Sequence, residues 1–281
     1  MELFGKANTE VDFQGGSMQK IAIIGHGAVA GYVQAAANRA GFSVGAVIAR
    51  PGREAAARLA FGAVPVVCQV DDLPGGLDLV VDCAGHSGLR AHGVATLASG
   101  LPLITVSVGA LADADLHLAL TQAANNSGAR LHLATGAIGA LDALSAASIG
   151  TLRQVTYIGR KPPAGWRGSV AEDILDLAAL DRPTSHFQGS ARACALAYPK
   201  NANVAASVAL AGLGFDQTQA ELIADPGVDR NIHQITASGD FGDFTFEISG
   251  KSLPDNPKSS ALTAMSVVRS VLNQAAPIVL G

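Results

Sequence analysis

The sequence is poor in charge, aromatic residues and cysteine, and each shortage excludes a class of protein. Its 281 residues include only 19 Lys or Arg and 23 Asp or Glu, whereas 49% are hydrophobic, so an intrinsically disordered chain is excluded. The net charge is −4 and no cluster of Lys and Arg occurs, so no nucleic-acid partner is expected. The longest weakly polar stretch, Val204 to Phe215, is too short to span a membrane.

Cysteine and histidine spacing gives no sign of a disulfide framework or a metal site. Cys68, Cys83 and Cys194 lie far apart, and neither a CxxC nor an HExxH pattern occurs, so a reducing, cytoplasmic location is expected. Residues 1–17 carry charge without the apolar core of a signal peptide. We interpret them as a leader or tag, with the natural chain beginning at Met18.

Residues 18–138 alternate short β-branched runs with longer amphipathic stretches, which predicts a Rossmann-type, doubly wound parallel sheet of the α/β class. The predicted strands are Lys20 to Ile24, Val44 to Ala49, Val64 to Val67, Leu79 to Cys83, Leu103 to Val106 and Arg130 to Leu133. The predicted helices are Val29 to Ala40, Glu54 to Ala60, Leu89 to Ser99 and Ala112 to Asn125. This region is predicted to be a dinucleotide-binding domain.

Residues 139–258 have a different pattern, in which apolar and polar residues alternate within strands. Such alternation is typical of an antiparallel sheet with one covered face, so we predict a second, α+β substrate domain with a mainly antiparallel sheet. Its predicted strands are Val155 to Ile158, Glu221 to Ile223, Ile232 to Ile235 and Phe244 to Ile248. Residues 259–281 regain helical spacing and are expected to pack back on the first domain.

The strongest local motif is the glycine turn that follows the first predicted strand. Gly25, His26, Gly27, Ala28, Val29 and Ala30 match G-x-G-x-x-A and open a helix. The first glycine permits the tight turn, the second lets the backbone approach a pyrophosphate, and the small alanine allows close packing of the helix on the strand. The helix N-terminus attracts the phosphate anions. The motif therefore predicts NAD or NADP as cofactor.

Two further positions are predicted to contact the cofactor. Arg50 ends the second predicted strand, where an NAD-specific enzyme usually has an acidic residue for the ribose hydroxyls. It can pair with a 2′-phosphate, stack on adenine, or be an ordinary surface residue, so the choice between NAD and NADP stays open. Ala84 directly follows the fourth predicted strand, at the edge where the cofactor passes.

His233 is the candidate acid/base residue. It lies on a predicted strand of the second domain and shares a face with Ile235 and Ala237. A histidine on a strand is often structural, but its ordinary pKa near neutrality suits proton transfer. Taken alone, the strand leaves both roles open.

Four segments together resemble the L-aspartate dehydrogenase family, and the resemblance runs in order from Lys20 to the C-terminus. They are Val106 to Asp113, Tyr198 to Ala206, Asn231 to His233 and Asn256 to Ser260. The resemblance implies that Ala137 and Asn203 bind the cofactor and that His233 is the active-site histidine. It further implies oxidation of L-aspartate to iminosuccinate, which hydrolyses to oxaloacetate and ammonia or feeds NAD biosynthesis. A homodimer is expected.

The substrate has two carboxylates, which require hydrogen-bond donors or positive charges. The candidates in the second half of the chain are Arg160, Lys161, Lys200, Lys258, Ser259 and Ser260. Three other interpretations stay open: a homoserine dehydrogenase, a dihydrodipicolinate reductase, or a dinucleotide sensor without turnover. The first two do not account for Asn203 and His233 as well, and a sensor has no need of a histidine beside nicotinamide.

Overall fold

The computed structural model describes residues 19–199, 201–253 and 256–279, and for residues 256–258 it describes the backbone alone. The predicted leader or tag at residues 1–17, Lys200 and the side chain of Lys258 lie outside the described part. Among the described residues, no helix combines the length and the apolar character that crossing a bilayer requires.

The first half of the chain forms a six-stranded parallel sheet in the order β3-β2-β1-β4-β5-β6. The strands are β1 (Lys20–Ile24), β2 (Ser43–Ile48), β3 (Val66–Val67), β4 (Leu79–Asp82), β5 (Leu103–Thr105) and β6 (Leu131–Leu133). The helices between them are α1 (Ala28–Arg39), α2 (Glu54–Phe61), α3 (His86–Ala98) and α4 (Ala114–Ser127). All residues of β4 are buried, as expected for a strand covered on both faces. The predicted doubly wound architecture is confirmed.

Several predicted boundaries in this half were wrong by one to three residues, and two of these differences have a clear local reason. The third strand begins at Val66 rather than Val64, because Pro65 has no N–H to donate to a ladder at this sheet edge. The third helix begins at His86 rather than Leu89. Gly85, with φ +76°, completes the turn from strand to helix earlier than the apolar spacing indicated.

The second half is built on a five-stranded sheet in the order β11-β10-β7-β9-β8. Its strands are β7 (Leu152–Lys161), β8 (Thr184–Ser190), β9 (Gln219–Ala224), β10 (Asn231–Gly239) and β11 (Gly242–Gly250). A small hairpin of β12 (Ser252–Leu253) and β13 (Asn256–Ser260) follows. The sheet is mainly antiparallel, as predicted, but β7 and β9 pair in parallel.

The helices of this half were only partly predicted. They are α5 (Leu141–Ala147), α6 (Ala171–Ile174), α7 (Ala191–Ala197), α8 (Asn203–Ala211) and α9 (Ala261–Asn273). Helix α8 packs on the short 3₁₀ segment Val108–Ala112 of the first half and on α7. Consequently one apolar cluster includes residues of both halves, among them Val108, Leu111, Val204 and Val208.

Helix α9 returns the chain to the parallel sheet. Its buried residues Val267 and Val271 join the cluster that contains Ile21 and Ile23 of β1. Ser266 on the same helix accepts a hydrogen bond of 3.0 Å from the backbone N–H of Gly136. The loop after β6, which carries Ala137, is therefore anchored by the last helix.

Candidate active site

The glycine turn has the geometry that its sequence predicts. Gly25 has φ +97°, and a Cβ there would lie 3.1 Å from the Cβ of Ala84, so both the conformation and the close approach to the end of β4 require glycine. Its N–H donates to the carbonyl of Ile48 at 2.9 Å. A Cβ at Gly27 would meet no atom within 4 Å. The backbone at Gly27 therefore lies open beside the N-terminus of α1.

A cavity of about 490 Å³ opens at this turn, in the crevice at the carboxyl ends of β1 and β4. Five of the predicted cofactor-binding residues line it together: Gly25, His26, Gly27, Arg50 and Ala84. Ala28, Val29 and Ala30 form the adjoining first turn of α1, and Ala30 is fully buried. The Nδ1 atom of His26 is buried without a hydrogen-bond partner among the described residues. The size, the exposed phosphate turn and the unsatisfied ring nitrogen fit a dinucleotide.

Asp82, which the sequence reasoning did not single out, ends β4 and holds the backbone of Ala84 beside this crevice. Its fully buried carboxylate accepts hydrogen bonds from the N–H of Ala84 and from the hydroxyls of Thr105 and Ser107. Burial raises its pKa, while these donors act in the opposite direction. The network ties the loops after β4 and β5 to each other, and so fixes the position of Ala84.

Asn203 joins the two halves of the molecule where those loops end. Its side-chain oxygen accepts the N–H of Gly109 at 2.9 Å and lies 2.7 Å from Nε2 of His86. Because two donors from the first half share this oxygen, the amide orientation is fixed, and the NH₂ group points away from them. The implied cofactor residue is thus held by the cofactor domain itself.

His233 lies on β10 and is 4% exposed. Its Nδ1 is 2.8 Å from the hydroxyl of Tyr157 on β7. Burial, followed by the positive charge of Lys161, lowers the pKa of His233 to about 3. Burial also keeps the pKa of Tyr157 well above its usual range. Both rings are therefore uncharged at neutral pH.

Lys161 follows Tyr157 by four residues on β7 and is buried on the same face of the sheet. Its ammonium donates to the side-chain oxygen of Asn201 at 2.8 Å and lies 4.7 Å from the ring centre of Trp166. Burial lowers its pKa to about 8. Among the described residues it has no ion-pair partner. A buried cation without a neighbouring anion is a natural site for a carboxylate ligand.

A second buried histidine, His186, packs edge-on against Trp166. His186 lies 4.4 Å from the Trp166 ring, centroid to centroid, and its Nδ1 is 3.0 Å from the hydroxyl of Tyr198. Burial and then the charge of Lys161 lower its pKa to about 4. The sequence offered no reason to pair His186 with Tyr198, since His186 lies in β8, which was not predicted.

The other substrate candidates do not all join this cluster. Arg160 points to the opposite face of β7 and pairs with the buried Asp225 at 3.0 Å. Ser259 and Ser260 end β13, directly before α9, and the Ser260 hydroxyl is buried without a partner among the described residues. Lys258 lies on the same strand. The structure thus brings together His233 and Lys161, with Tyr157, Trp166 and Asn201 as neighbours that sequence reasoning missed.

Comparison with protein families gives one match in each half of the chain. A family model described as "Homoserine dehydrogenase, NAD binding domain" matches residues 24–134, and one described as "Aspartate dehydrogenase, C-terminal" matches residues 142–274. The glycine turn falls within the first match. Lys161, Asn203 and His233 fall within the second.

Individual relatives extend the similarity to nearly the whole chain. The L-aspartate dehydrogenase of Ruegeria pomeroyi is 58% identical over 263 residues, which cover 94% of this chain and 95% of that protein. The L-aspartate dehydrogenase of Pseudomonas aeruginosa is 47% identical over 92% of this chain and 98% of its own. The crystal structure of aspartate dehydrogenase from Thermotoga maritima superposes with a TM-score of 0.76 at 26% identity, covering 94% of this chain and all of that one.

Proposed function

Because the chain belongs to the L-aspartate dehydrogenase family, we propose that it oxidises L-aspartate to iminosuccinate with NAD or NADP. The imine then hydrolyses to oxaloacetate and ammonia. The observation that carries the proposal is the ammonium of Lys161, buried near His233 and without an anionic partner among the described residues. An amino acid with two carboxylates supplies the missing negative charge and presents an amine to the histidine.

The cofactor-binding role rests on residues of both halves. The turn from Gly25 to Gly27 and the start of α1 receive the pyrophosphate, and Arg50 lies at the adenosine end of the crevice. Ala84 and Ala137 give the small side chains that a close approach requires, and the fixed NH₂ of Asn203 is a hydrogen-bond donor. NAD or NADP held by these residues would supply the acceptor for the hydride of the aspartate α-carbon.

His233 acts on the amine. Hydride can leave the α-carbon only when the nitrogen lone pair is free to form the C=N bond, so the ammonium must first lose a proton. The imidazole is neutral at neutral pH and can accept it. The carboxylates of the substrate offset the charge of Lys161, which raises the pKa of His233 and makes it a better base in the complex. The same ring can activate water for hydrolysis of the imine.

Lys161 binds a substrate carboxylate. Its ammonium is already desolvated and is held by Asn201 and Trp166, so little reorganisation is needed when the anion arrives. Lys258 and Ser259 lie near the start of α9 and are further candidates for the second carboxylate. Lys200, which directly precedes Asn201, is a candidate on sequence grounds alone.

The second candidate function is a homoserine dehydrogenase, which the match of the nucleotide domain favours. Homoserine carries one carboxylate and is oxidised at a hydroxyl-bearing carbon, so it has no amine at the reacting carbon for His233 and no second carboxylate for a further donor. A sensor without turnover is the third alternative. It would bind the dinucleotide without reducing it.

One experiment distinguishes these functions. Purified protein is mixed with NAD or NADP and with L-aspartate, L-homoserine or buffer, and the absorbance of the reduced nicotinamide is followed. We expect NAD or NADP to be reduced with L-aspartate alone. In His233→Asn, kcat should fall by at least about a hundredfold, and calorimetry should show an unchanged affinity for the cofactor. Reduction of the cofactor with L-homoserine would reject the proposal, and so would the absence of reduction with both amino acids. Activity of folded His233→Asn within about threefold of the parent would make this residue structural.

The expected homodimer and cytoplasmic location form part of the same proposal. The face of the second sheet opposite His233 carries the partly exposed Ile158 and Ile232, which supports a contact with a second copy. Three free cysteines are compatible with a reducing compartment. Sedimentation velocity gives the mass in solution, and a monomer at micromolar concentration would contradict the expected dimer.

A further inference from the structure

We propose that Tyr157 is a positioning residue for His233. Because Gly159 has no side chain, the Tyr157 hydroxyl has room to reach the imidazole. The inference rests on the proposed function, because it assigns Tyr157 a part in proton transfer at His233. It is carried by three observations: the register of two strands, the space above Gly159, and the chemistry of a buried hydroxyl.

The register places the three residues on one sheet face. β7 and β10 are antiparallel, with His233 directly opposite Gly159 and Ile235 directly opposite Tyr157. Alternate residues of a strand share a face, so Tyr157, Gly159 and Lys161 all face the same side of β7, which is the buried side. Tyr157 is therefore diagonal to His233 and must extend along its own strand to reach the imidazole.

Gly159 leaves the path for that extension. A Cβ built at this position would lie 2.6 Å from the hydroxyl oxygen of Tyr157 and 3.1 Å from its Cζ. The phenol ring thus lies across the place where any other residue would have a side chain. The hydroxyl then meets Nδ1 of His233 at 2.8 Å, with the two rings inclined by only 20°. A side chain at residue 159 would therefore require Tyr157 to move from its position in this hydrogen bond.

The hydroxyl suits a histidine that changes protonation state. A phenol can donate to an unprotonated Nδ1 or, after rotation of its proton, accept from a protonated one. A neutral imidazole has a single N–H, so Nε2 can take the proton of the substrate ammonium only in the tautomer whose Nδ1–H donates to the Tyr157 oxygen. That hydrogen bond is kept when Nε2 becomes protonated, and Tyr157 keeps its own proton throughout. With Nδ1 held in this way, Nε2 is the nitrogen left for the substrate.

The surroundings make a neutral partner important. The charged or titratable groups of the described residues near His233 are Lys161 and Tyr157 on β7, with Cys194 of α7 and His186 of β8 adjacent to them. Ile248 of β11, on the other flank, is apolar. Tyr157 orients the ring without adding a negative charge, whereas a carboxylate at that place would pair with Lys161 and compete with the substrate.

The test compares two matched tyrosines. Tyr157→Phe removes the hydroxyl bonded to His233, and Tyr198→Phe removes the equivalent buried hydroxyl bonded to His186. We expect Tyr157→Phe to lower kcat by between about ten- and a hundredfold, with KM for L-aspartate changed by less than about twofold. Tyr198→Phe should leave kcat within about twofold. Equal losses in both variants, or none in Tyr157→Phe, would overturn the proposal.

A double-mutant cycle with Gly159→Ala tests the steric part. In the parent chain the new methyl group must displace the Tyr157 hydroxyl, so Gly159→Ala should reproduce the loss of kcat seen in Tyr157→Phe. In the Tyr157→Phe background the oxygen at 2.6 Å is absent and only the 3.1 Å contacts with the ring Cζ and with Cδ2 of Leu222 stay. Gly159→Ala should therefore cost less than about threefold more. Full multiplication of the two effects would show that Gly159 acts in another way.

A spectroscopic measurement separates this proposal from the proposed function. In protein with ¹⁵N-labelled histidine, the Nδ1 resonance of His233, assigned by its absence in His233→Asn, should shift in Tyr157→Phe and stay unchanged in Tyr198→Phe. This readout needs no substrate. If it succeeds while L-aspartate is not oxidised, the proposed function fails and the pairing stands. If L-aspartate is oxidised and the resonance does not move, the positioning role fails alone.

Discussion

Acidification should destabilise the folded chain through His233, and the size of the effect follows from its pKa. In the folded chain burial, followed by the charge of Lys161, lowers that pKa to about 3, whereas a histidine in an unfolded chain titrates near about 6.5. As the pH falls below about 6.5, the unfolded chain binds a proton that the folded chain does not. The free energy of unfolding therefore falls with pH, until the folded pKa is reached.

The perturbation is His233→Asn, which keeps a polar side chain but removes the titration. From the two pKa values, the proton bound by unfolded His233 lowers the free energy of unfolding by about 2 kcal/mol at pH 5, relative to pH 7. His186, with a pKa lowered to about 4, acts in the same direction in both proteins. The difference between the two proteins isolates His233.

Urea unfolding at pH 7 and pH 5 measures this difference. The fluorescence of Trp166, the single tryptophan and a fully buried one, reports the transition. We expect the fall in the free energy of unfolding between the two pH values to be smaller in His233→Asn by about 2 kcal/mol. An equal fall in both proteins would refute the reasoning, because it would mean that His233 takes up its proton equally readily in the folded chain.

Three further predictions concern ligand binding. Arg50→Ala should raise KM for NADP by about tenfold or more and leave KM for NAD nearly unchanged, since a charge-assisted contact to phosphate is lost. Arg53 lines the same crevice, so Arg53→Ala is the control. Equal changes of KM for both cofactors in Arg50→Ala would reject the phosphate contact. Asn203→Asp keeps the oxygen that Gly109 and His86 hold but removes the NH₂ donor, so calorimetry should show weaker cofactor binding at an unchanged melting temperature. Lys161→Met should raise KM for L-aspartate by at least about tenfold, and an unchanged KM would assign the carboxylate elsewhere.

The elements that could be predicted from the sequence are those with a local pattern. The glycine turn is contiguous, and β4 is an unbroken apolar run, so both were located correctly. β8 was missed because Thr184 to Ser190 has polar residues and a glycine in place of clean alternation. Helices α7 and α8 are rich in alanine and have little polar periodicity to mark them.

The contacts of the candidate site were beyond the sequence for a different reason. Tyr157 and His233 are 76 residues apart, and their meeting depends on strand register and on an empty position between them. The choice of Lys161 rather than Arg160 as the buried cation depends on a single step along β7, which moves a side chain from one face to the other. The burial of a side chain and its partners on neighbouring strands decide these roles, and the local residue pattern predicts neither.

The apolar cluster shared by the two halves has a consequence for how such proteins can be rebuilt. Helix α8 of the second half packs on residues 108–112 of the first, so a chimera that joins the nucleotide domain of one relative to the substrate domain of another cuts through a packed core. Exchange at the predicted domain boundary near residue 139 would leave mismatched side chains around Val108 and Val204. A functional chimera has to transfer α8 together with the segment it covers, and the unit of exchange in this architecture is therefore a packed layer and not a stretch of sequence.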